Sequence, residues 1–358
     1  MAASARGEPM AAGGQVRFHR GRRFWRLVVP VVSATGVLAA FRLSPWPGAL
    51  VIRAVFEANN ARVTAAMAGH APATDVQRIT DQQYRVGDED ALLDVYFPAA
   101  APAGARLPVI VWTHGGAWLS GSKDDAAPYF ELLAAQGFTV VAPNYTLAPR
   151  KPYPAQLHQL NRAHAYVVEN AERFHADTGT VFLAGDSAGA QLSSQLAALI
   201  TNPAHAAEVG IVPSLSPAQL CGVVLNCGIY RMERLTHPSP TLPRLVGWGN
   251  DVATWAYAGT RDFSDPVIRQ MSPYHHVTAD FPPTFISGGN GDPLTEAQSE
   301  PFADKLRSLG VRTTSLFHPV DHEPALPHEY QFDLGTEEGR VALATTVEFL
   351  RDQLAEAG

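Results

Sequence analysis

The sequence predicts an α/β protein with a mostly parallel central sheet, helices on both faces and a small cap insertion. Three observations indicate this class. Beyond about residue 80, short apolar runs alternate with helical segments, as in successive strand–helix units. Hydrophobic residues make up 46% of the chain and charged residues 17%, which excludes a disordered protein. Two cysteines are too few for a disulfide scaffold or a four-thiolate zinc site.

The first 80 residues are predicted to form a separate basic and apolar segment. Residues 1–26 contain six arginines and one glutamate, and apolar residues dominate 27–41 and 43–56. A helix over 27–41 would rise about 22 Å, short of the roughly 30 Å hydrocarbon core of a bilayer. A signal peptide, a membrane anchor and an amphipathic cap over the mouth of the site remain alternatives. We expect membrane association through residues 20–56, with a membrane-associated or exported location preferred to a cytoplasmic one.

Residues 81–358 are predicted to form the main domain. The predicted strands are 91–97, 107–113, 139–144, 180–184, 222–225, 284–287 and 313–317, and the predicted helices are 124–136, 155–173, 188–200, 296–309 and 338–354. Alternation of apolar and polar residues at 91–97 predicts an antiparallel edge strand, whereas the apolar run at 107–113 predicts a strand buried on both faces. Residues 229–281, rich in Pro, Trp, Tyr and Gly, are expected to form a cap over the carboxyl edge of the sheet.

Charge and cysteine placement exclude two further kinds of function. The net charge of −7 disfavours electrostatic attraction to nucleic acid, so no nucleic-acid partner is expected. Cys221 and Cys227 bracket one predicted strand, and about 20 Å of extended chain is far beyond the reach of a disulfide. We therefore expect two unbridged thiols.

A nucleophile is predicted at Ser187, in the sequence G-D-S-A-G that follows an apolar strand and opens a helix. A serine hydroxyl attacks only when it is exposed and a neighbouring base takes its proton. A sharp strand-to-helix bend supplies the exposure, and Gly185 and Gly189 leave room for it. The start of the helix adds the peptide N–H of Ala188 as a donor. The alternative is a serine in an ordinary β–α turn.

The sequence H-G-G-A-W, from His114 to Trp118, follows the predicted strand 107–113 and predicts a cradle for an oxyanion. Peptide N–H groups stabilise such a charge, and glycines let the backbone approach it closely. The predicted oxyanion hole comprises Gly115, Gly116, Ala117 and Ala188. Within it, Gly115 is expected to shape the loop while the other three donate. The His114 side chain is expected to brace the loop by hydrogen bonding rather than to act as a base.

An acid is predicted at Asp292, after strand 284–287, where a carboxylate can hold an imidazole in the required tautomer. The alternative for Asp292 is a turn residue that initiates the next helix. Four aromatic residues are further candidates for a substrate pocket, although scattered aromatics are core residues more often than ligand contacts. These are Trp118, Trp248, Trp255 and Tyr257.

The general base is sought among three histidines that follow strand 313–317. His318 is expected to pack near its strand, which leaves His322 and His328 as alternatives. His328 is preferred because the base must hang from a loop long enough to reach back to Ser187. The cluster lacks the H-E-x-x-H spacing of a helical zinc site, so no metal is predicted.

The chain order of nucleophile, acid and base is that of the α/β-hydrolases, and the chain resembles their hormone-sensitive-lipase-like esterase group. Two further segments carry the resemblance, L-D-V-Y-F-P at 93–98 and N-Y-T-L-A-P at 144–149, and it extends over about residues 85–354. The resemblance implies a serine hydrolase that cleaves small carboxylic esters through an acyl-enzyme on Ser187, without a cofactor.

Two departures from that family keep other functions open. Ala117 stands where the family usually has a third glycine, and this H-G-G-x-W form is similar to kynurenine formamidases and some carboxylesterases. The sequence H-E-Y-Q-F also replaces the more common H-G-F at the histidine. An amidase, formamidase or peptidase on the same scaffold is therefore one alternative, and a non-catalytic, membrane-attached interaction module is another.

Overall fold

The protein is described by a computed structural model that covers residue 36, residues 39–235 and residues 243–357. The described residues from Pro45 onward form one compact unit, and the described residues before Pro45 belong to a separate one. Of the stretch 20–56 predicted to associate with a membrane, residues 20–35, 37 and 38 lie outside the described residues. Within the described residues, no helix combines the length and apolar character needed to cross a bilayer.

A mostly parallel sheet of eight strands organises the described part of the larger unit. The strands are β1 (Val76–Gln83), β2 (Leu92–Pro98), β3 (Leu107–Thr113), β4 (Thr139–Pro143), β5 (Ala176–Asp186), β6 (Leu220–Asn226), β7 (Thr284–Gly288) and β8 (Thr313–Phe317). Their order is β1-β2-β4-β3-β5-β6-β7-β8. The β1–β2 and β2–β4 pairs are antiparallel, and every later pair is parallel. The predicted fold class is confirmed.

Helices connect the strands and cover the sheet. They are α1 (Trp46–Met67), α2 (Ala127–Ala135), α3 (Ala155–Glu169), α4 (Ser187–Thr201), α5 (Pro203–Val209), α6 (Met232–Leu235), α7 (Arg244–Ala258), α8 (Pro266–Gln270), α9 (Glu300–Ser308) and α10 (Glu337–Ala357). The helix predicted at 296–309 begins as a short π-helical turn, Thr295–Ser299, before α9. In its described part, the insertion predicted at 229–281 is mostly helical and contains α6, α7 and α8.

The antiparallel end of the sheet differs from the prediction. Strand β2 is antiparallel, as predicted, but it is not an edge strand, because β1 pairs with its outer side. Five of the seven residues of β2 are buried, so both of its faces are covered. The sequence of β1, V-Q-R-I-T-D-Q-Q, is mostly polar, and five of its eight residues are exposed, so a hydrophobicity pattern does not reveal the strand. The predicted domain boundary after residue 80 falls inside this strand.

Hydrophobic side chains fill both faces of the sheet. Along β3, Val109 and Val111 belong to one buried cluster, whereas Ile110 and Trp112 belong to another. Successive side chains of a strand point to opposite faces, so both faces of β3 are packed against other elements. Helix α4 is buried along its whole length in the larger cluster. This double coverage fixes the central strands, whose carboxyl ends carry the predicted site residues.

A buried carboxylate ties β1 and β2 to the loop that precedes α2. Asp94 has a fully buried side chain and accepts hydrogen bonds from Arg78 Nε (3.0 Å) and the peptide N–H of Asp81 (2.8 Å). Its Oδ1 also lies 2.9 Å from Lys123 Nζ, whose side chain is only 6% exposed. Burial raises the pKa of Asp94, but the Asp81 amide, Arg78 and Lys123 outweigh it and hold this pKa below its usual range.

We expect Asp94→Asn to lower the free energy of unfolding by about 2 kcal/mol, because it removes the buried member of the three carboxylates that contact the Lys123 ammonium and leaves that ammonium only the exposed Asp81 and Asp124. Urea denaturation at neutral pH measures this change. The control is Asp304→Asn, which breaks the exposed Arg307–Asp304 pair (3.1 Å) and should change the free energy by less than about 1 kcal/mol. Equal losses in the two variants would contradict the stabilising role of Asp94.

Candidate active site

The predicted site residues converge at the carboxyl edge of the parallel strands. The H-G-G-A-W loop follows β3, Ser187 follows β5, Asp292 follows β7 and His328 lies in the long loop after β8. Parallel strands present their carboxyl ends at one edge of a sheet, which is where ligands bind in open α/β folds. The order of the strands thus brings together residues that are up to 214 positions apart, from His114 to His328.

Ser187 occupies a strained bend between β5 and α4. Its φ of 49° lies in the left-handed region, which a non-glycine residue rarely adopts. The bend needs close backbone contact, because a Cβ on Gly185 would lie 2.6 Å from the carbonyl carbon of Gly189, and one on Gly189 would collide with the carbonyl oxygen of Thr113. The two glycines therefore allow the tight bend that directs the Ser187 hydroxyl away from the strand.

His328 bridges Ser187 and Asp292. Its Nε2 lies 3.0 Å from Ser187 Oγ, and its Nδ1 lies 2.7 Å from Asp292 Oδ2. Asp292 is 4% exposed and also accepts a hydrogen bond from the peptide N–H of Leu294 (2.9 Å). A carboxylate on Nδ1 fixes the tautomer in which Nε2 is free to accept the proton of the serine. Of the two histidines that the sequence left open, His328 makes these contacts.

The environment of His328 favours its charged form. Removal from water lowers the pKa of the imidazole, but the charge and hydrogen bond of Asp292, together with the charge of Glu329, outweigh that effect. Together, these effects raise the pKa of His328 to about 9. A base with a raised pKa holds an abstracted proton more firmly. The same base is neutral, and therefore able to accept a proton, only at higher pH.

The other histidines of the sequence analysis have structural contacts. The His114 ring stacks on Tyr145 with centroids 4.3 Å apart, and its Nδ1 bonds the carbonyl oxygen of Gly115 at 2.8 Å. Burial lowers the pKa of His114. His318 packs edge-on against Tyr330, and His322 Nε2 lies 3.2 Å from Glu338 Oε1.

The predicted oxyanion loop is sharply bent. The φ angles are 100° at Gly116 and 53° at Ala117, so the chain passes through left-handed conformations beside Ser187. The peptide N–H of Gly115 donates to Asp186 Oδ2 (2.8 Å), so this amide holds the loop in place and does not face the cavity as a donor. Ala188 stands in the first turn of α4, where peptide N–H groups lack an intrahelical acceptor.

Two acidic residues beside Ser187 were not predicted as site residues. Asp186 is buried, and its Oδ1 accepts a hydrogen bond from Trp112 Nε1 (2.8 Å). Burial raises the pKa of Asp186 well above its usual range, and the neighbouring charge of Glu329 raises it further. Glu329 Oε1 lies 3.7 Å from His328 Nε2. Their positions in the sequence, each adjacent to a predicted site residue, are the signal that could have identified them.

A cavity of about 170 Å³ opens onto Ser187 and His328. Helix α1 forms one wall of it, with Phe56, Asn59, Asn60, Val63 and Met67. The described residues of the 229–281 insertion contribute none of its lining. Part of the segment before residue 80 therefore lies at the site, where one of the alternatives for that segment, a cap over the mouth of the site, places it.

The aromatic pocket candidates lie elsewhere. Trp118 is 1% exposed and stacks on Tyr257 with ring centroids 4.6 Å apart, inside the core. Trp255 carries Arg261 over its ring at 4.7 Å. Neither these residues nor Trp248 line the cavity of the described structure, and Trp118 and Tyr257 are core residues, the more frequent role of scattered aromatics. Their apolar surface stabilises the cap and the core instead.

Two groups of residues within the described ranges bring potential metal ligands together. Cys227, Asp292 and His328 form the first, but the Asp292 carboxylate and the His328 imidazole already bond to each other. His205, Glu208 and His276 form the second. The two imidazole rings of that group stack with centroids 3.7 Å apart and planes 10° from parallel, so their lone pairs do not point at a common centre.

We expect Gly189→Ala to lower the free energy of unfolding by about 2 kcal/mol, because the added methyl group collides with the Thr113 carbonyl oxygen at the bend. The control is Gly249→Ala in α7, where the methyl group meets nothing within 4 Å and alanine favours the helix. Urea denaturation should therefore give changes of opposite sign. A neutral or stabilising Gly189→Ala would show that the bend does not need this close contact.

Comparison with known proteins places the chain in a family. Residues 93–306 match the BD-FAE family. The carboxylesterase NlhH of Mycobacterium tuberculosis is 30% identical over 250 residues, which cover 68% of this chain and 72% of NlhH. The esterase LipQ of the same organism is 29% identical over 239 residues, 66% of this chain and 54% of LipQ. The chain thus spans little more than half the length of LipQ and of the esterase LipC.

Solved structures share the fold at low identity. Esterase B from Lactobacillus rhamnosis, in a tributyrin phosphonate-inhibited form, superposes with a TM-score of 0.73 at 22% identity, over 88% of this chain and 100% of that one. The Pyrobaculum calidifontis esterase gives 0.65 at 24% identity, over 86% and 93%. These likenesses confirm the α/β-hydrolase fold. The chain therefore belongs to the BD-FAE family, among the hormone-sensitive-lipase-like α/β-hydrolases that its motifs resemble.

Proposed function

We propose that this protein is a serine hydrolase that cleaves small carboxylic esters through an acyl-enzyme on Ser187. The observation that carries the proposal is the continuous chain of contacts from Ser187 Oγ through His328 to Asp292, with distances of 3.0 and 2.7 Å. The same relay occurs on unrelated folds wherever a serine attacks an acyl carbon. The names of its relatives, esterases and carboxylesterases, support ester hydrolysis as the activity.

In the proposed reaction, Ser187 Oγ attacks the acyl carbon and passes its proton to His328 Nε2. Asp292 keeps Nδ1 protonated and stabilises the imidazolium that forms. His328 then gives the proton to the departing alkoxide, and the alcohol leaves. A water molecule, deprotonated by the same histidine, attacks the acyl-enzyme, and collapse of the second tetrahedral intermediate returns the proton to Ser187 and releases the acid.

The oxyanion of each tetrahedral intermediate is proposed to bind the peptide N–H groups of Gly116, Ala117 and Ala188. Fixed peptide dipoles stabilise a developing negative charge without reorganising during the reaction. The bond from the Gly115 amide to Asp186 supports this assignment, because it fixes the start of the loop and assigns Gly115 a shaping role.

We expect His328→Ala to reduce kcat/KM for p-nitrophenyl acetate by about 10⁴-fold or more, because the nucleophile loses its base. Ser187→Ala should have an effect of the same order. The matched control is His322→Ala, which removes an imidazole of the same loop that contacts Glu338 and should retain activity within a few-fold. Loss of activity in His322→Ala with retention in His328→Ala would contradict the assigned base.

Matched acyl derivatives test whether the enzyme prefers to cleave an ester or an amide bond. Comparison of p-nitrophenyl esters with p-nitroanilides of the same acyl group measures the preference directly. We expect the ester to be the better substrate, since the relatives bear the names of esterases. A strong preference for the anilide would instead favour the amidase or formamidase function suggested by the H-G-G-x-W loop.

We expect kcat/KM to rise with pH through an apparent pKa of about 9. His328 must be neutral to accept the proton of Ser187, and the protonated form predominates below its pKa. The pH–rate profile should be recorded with a substrate that carries no ionisable group, such as p-nitrophenyl acetate. A profile already flat between pH 6 and 8 would contradict the raised pKa that Asp292 and Glu329 produce.

A further inference from the structure

Glu329 places a carboxyl group on the side of His328 that faces the substrate. It directly follows His328 and adopts the left-handed conformation with a φ of 61°. Its Oε1 lies 3.7 Å from His328 Nε2, the nitrogen that contacts Ser187 Oγ. The side chain is 26% exposed and lines the cavity. Asp292, by contrast, is on the opposite nitrogen of the ring, away from the reacting atoms.

The carboxyl of Glu329 is packed beside that of Asp186. A Cβ on Gly115 would collide with Asp186 Oδ2 and lie 3.1 Å from Glu329 Oε1. The two carboxyl groups therefore lie on the same side of the Gly115 Cα atom. Carboxylates that share a site cannot both ionise readily, and the buried member takes up the proton. Asp186 is the buried member, so the negative charge of the pair is that of Glu329 and faces the cavity.

No cation within the described lining of the cavity balances this charge permanently. The lining residues there include neither lysine nor arginine, and a further carboxylate, Asp125, is among them. Asp125 is already held by Ser122 N (3.0 Å) and Asn60 Nδ2 (2.7 Å). Of the two imidazoles, His114 is kept neutral by burial and His328 must be neutral to react. The cavity of the reactive enzyme is therefore negative.

The position of Glu329 determines which part of a bound ester its charge would contact. To receive the proton, the oxygen of the departing alcohol must come within hydrogen-bond distance of His328 Nε2. Glu329 Oε1, at 3.7 Å from the same nitrogen, is then within reach of a group carried two or three bonds beyond that oxygen. The acyl chain leaves the reacting carbon in a different direction. The charge thus acts on the alcohol side of an ester.

We propose that Glu329 forms a cation subsite for the alcohol portion of the substrate, so that the enzyme selects esters of amino alcohols. This inference rests on the proposed ester hydrolysis and specifies its substrate class. A quaternary or protonated amine two carbons from the ester oxygen would pair with Glu329 while the oxygen faces His328. Esters whose alcohol portion carries a carboxylate should be repelled by the same charge.

The test compares acetylcholine with 3,3-dimethylbutyl acetate, a neutral ester of the same shape. For the wild-type protein, we expect kcat/KM to favour acetylcholine by about fivefold, the effect of one partly exposed ion pair, and to lose this preference at high salt. Glu329→Gln should bring the ratio close to one. Glu329→Asp, which keeps the charge, should retain part of the preference.

The matched control is Glu323→Gln, which removes one charge from the same loop at an exposed position outside the cavity lining and should leave the ratio unchanged. If Glu329 only stabilised the His328 imidazolium, Glu329→Gln would slow both esters equally. That result, or a wild-type ratio near one, would overturn the cation subsite while leaving ester hydrolysis intact. Failure of the wild-type protein to hydrolyse p-nitrophenyl acetate as well would overturn both.

Discussion

The strained conformation of Ser187 is the constraint on which the candidate site depends. A φ of 49° turns the side chain out of β5 at the point where the chain enters α4. This conformation is held by the surrounding structure, because Gly185 and Gly189 pack tightly at the bend. The last six residues of β5 and the whole of α4 are buried, so the packing that stabilises the protein also fixes the direction of the hydroxyl.

A second layer of contacts orients the groups around that hydroxyl. Asp186 accepts hydrogen bonds from Trp112 at the end of β3 and from the Gly115 amide, and so joins the serine bend to the neighbouring loop. Asp292 performs the same task for His328. Both acids are buried, but they differ in their partners, since burial and the charge of Glu329 raise the pKa of Asp186 whereas Asp292 bonds to the His328 imidazole.

Much of the fold was predictable, because the central parallel strands are apolar runs with clear ends. Strand β3 has the predicted bounds, and the nucleophile motif stands at the predicted strand-to-helix bend. Strand β1 was missed because it is polar and stabilised by pairing and by the buried Asp94. Helix α1 was hidden in an apolar stretch that resembles a membrane segment, although it forms a wall of the cavity.

The sequence alone does not distinguish His322 from His328 as the base. Both stand in one loop without regular structure, and only the path of that loop decides which ring reaches Ser187. The contacts of Glu329 depend on the same loop, which brings its carboxyl group beside Asp186 and within 3.7 Å of His328 Nε2. Motifs identify residue types that suit a reaction, whereas charge near the reacting atoms depends on the three-dimensional path of the chain.

The most direct measurement of the central claim is the site of covalent modification by a fluorophosphonate. This reagent reacts with a serine whose proton is taken by a base and whose oxyanion is stabilised. Mass spectrometry of the folded, labelled protein should find a single adduct, on the peptide that contains Ser187. A folded protein that remains unlabelled, or that carries the adduct on another residue, would contradict the account.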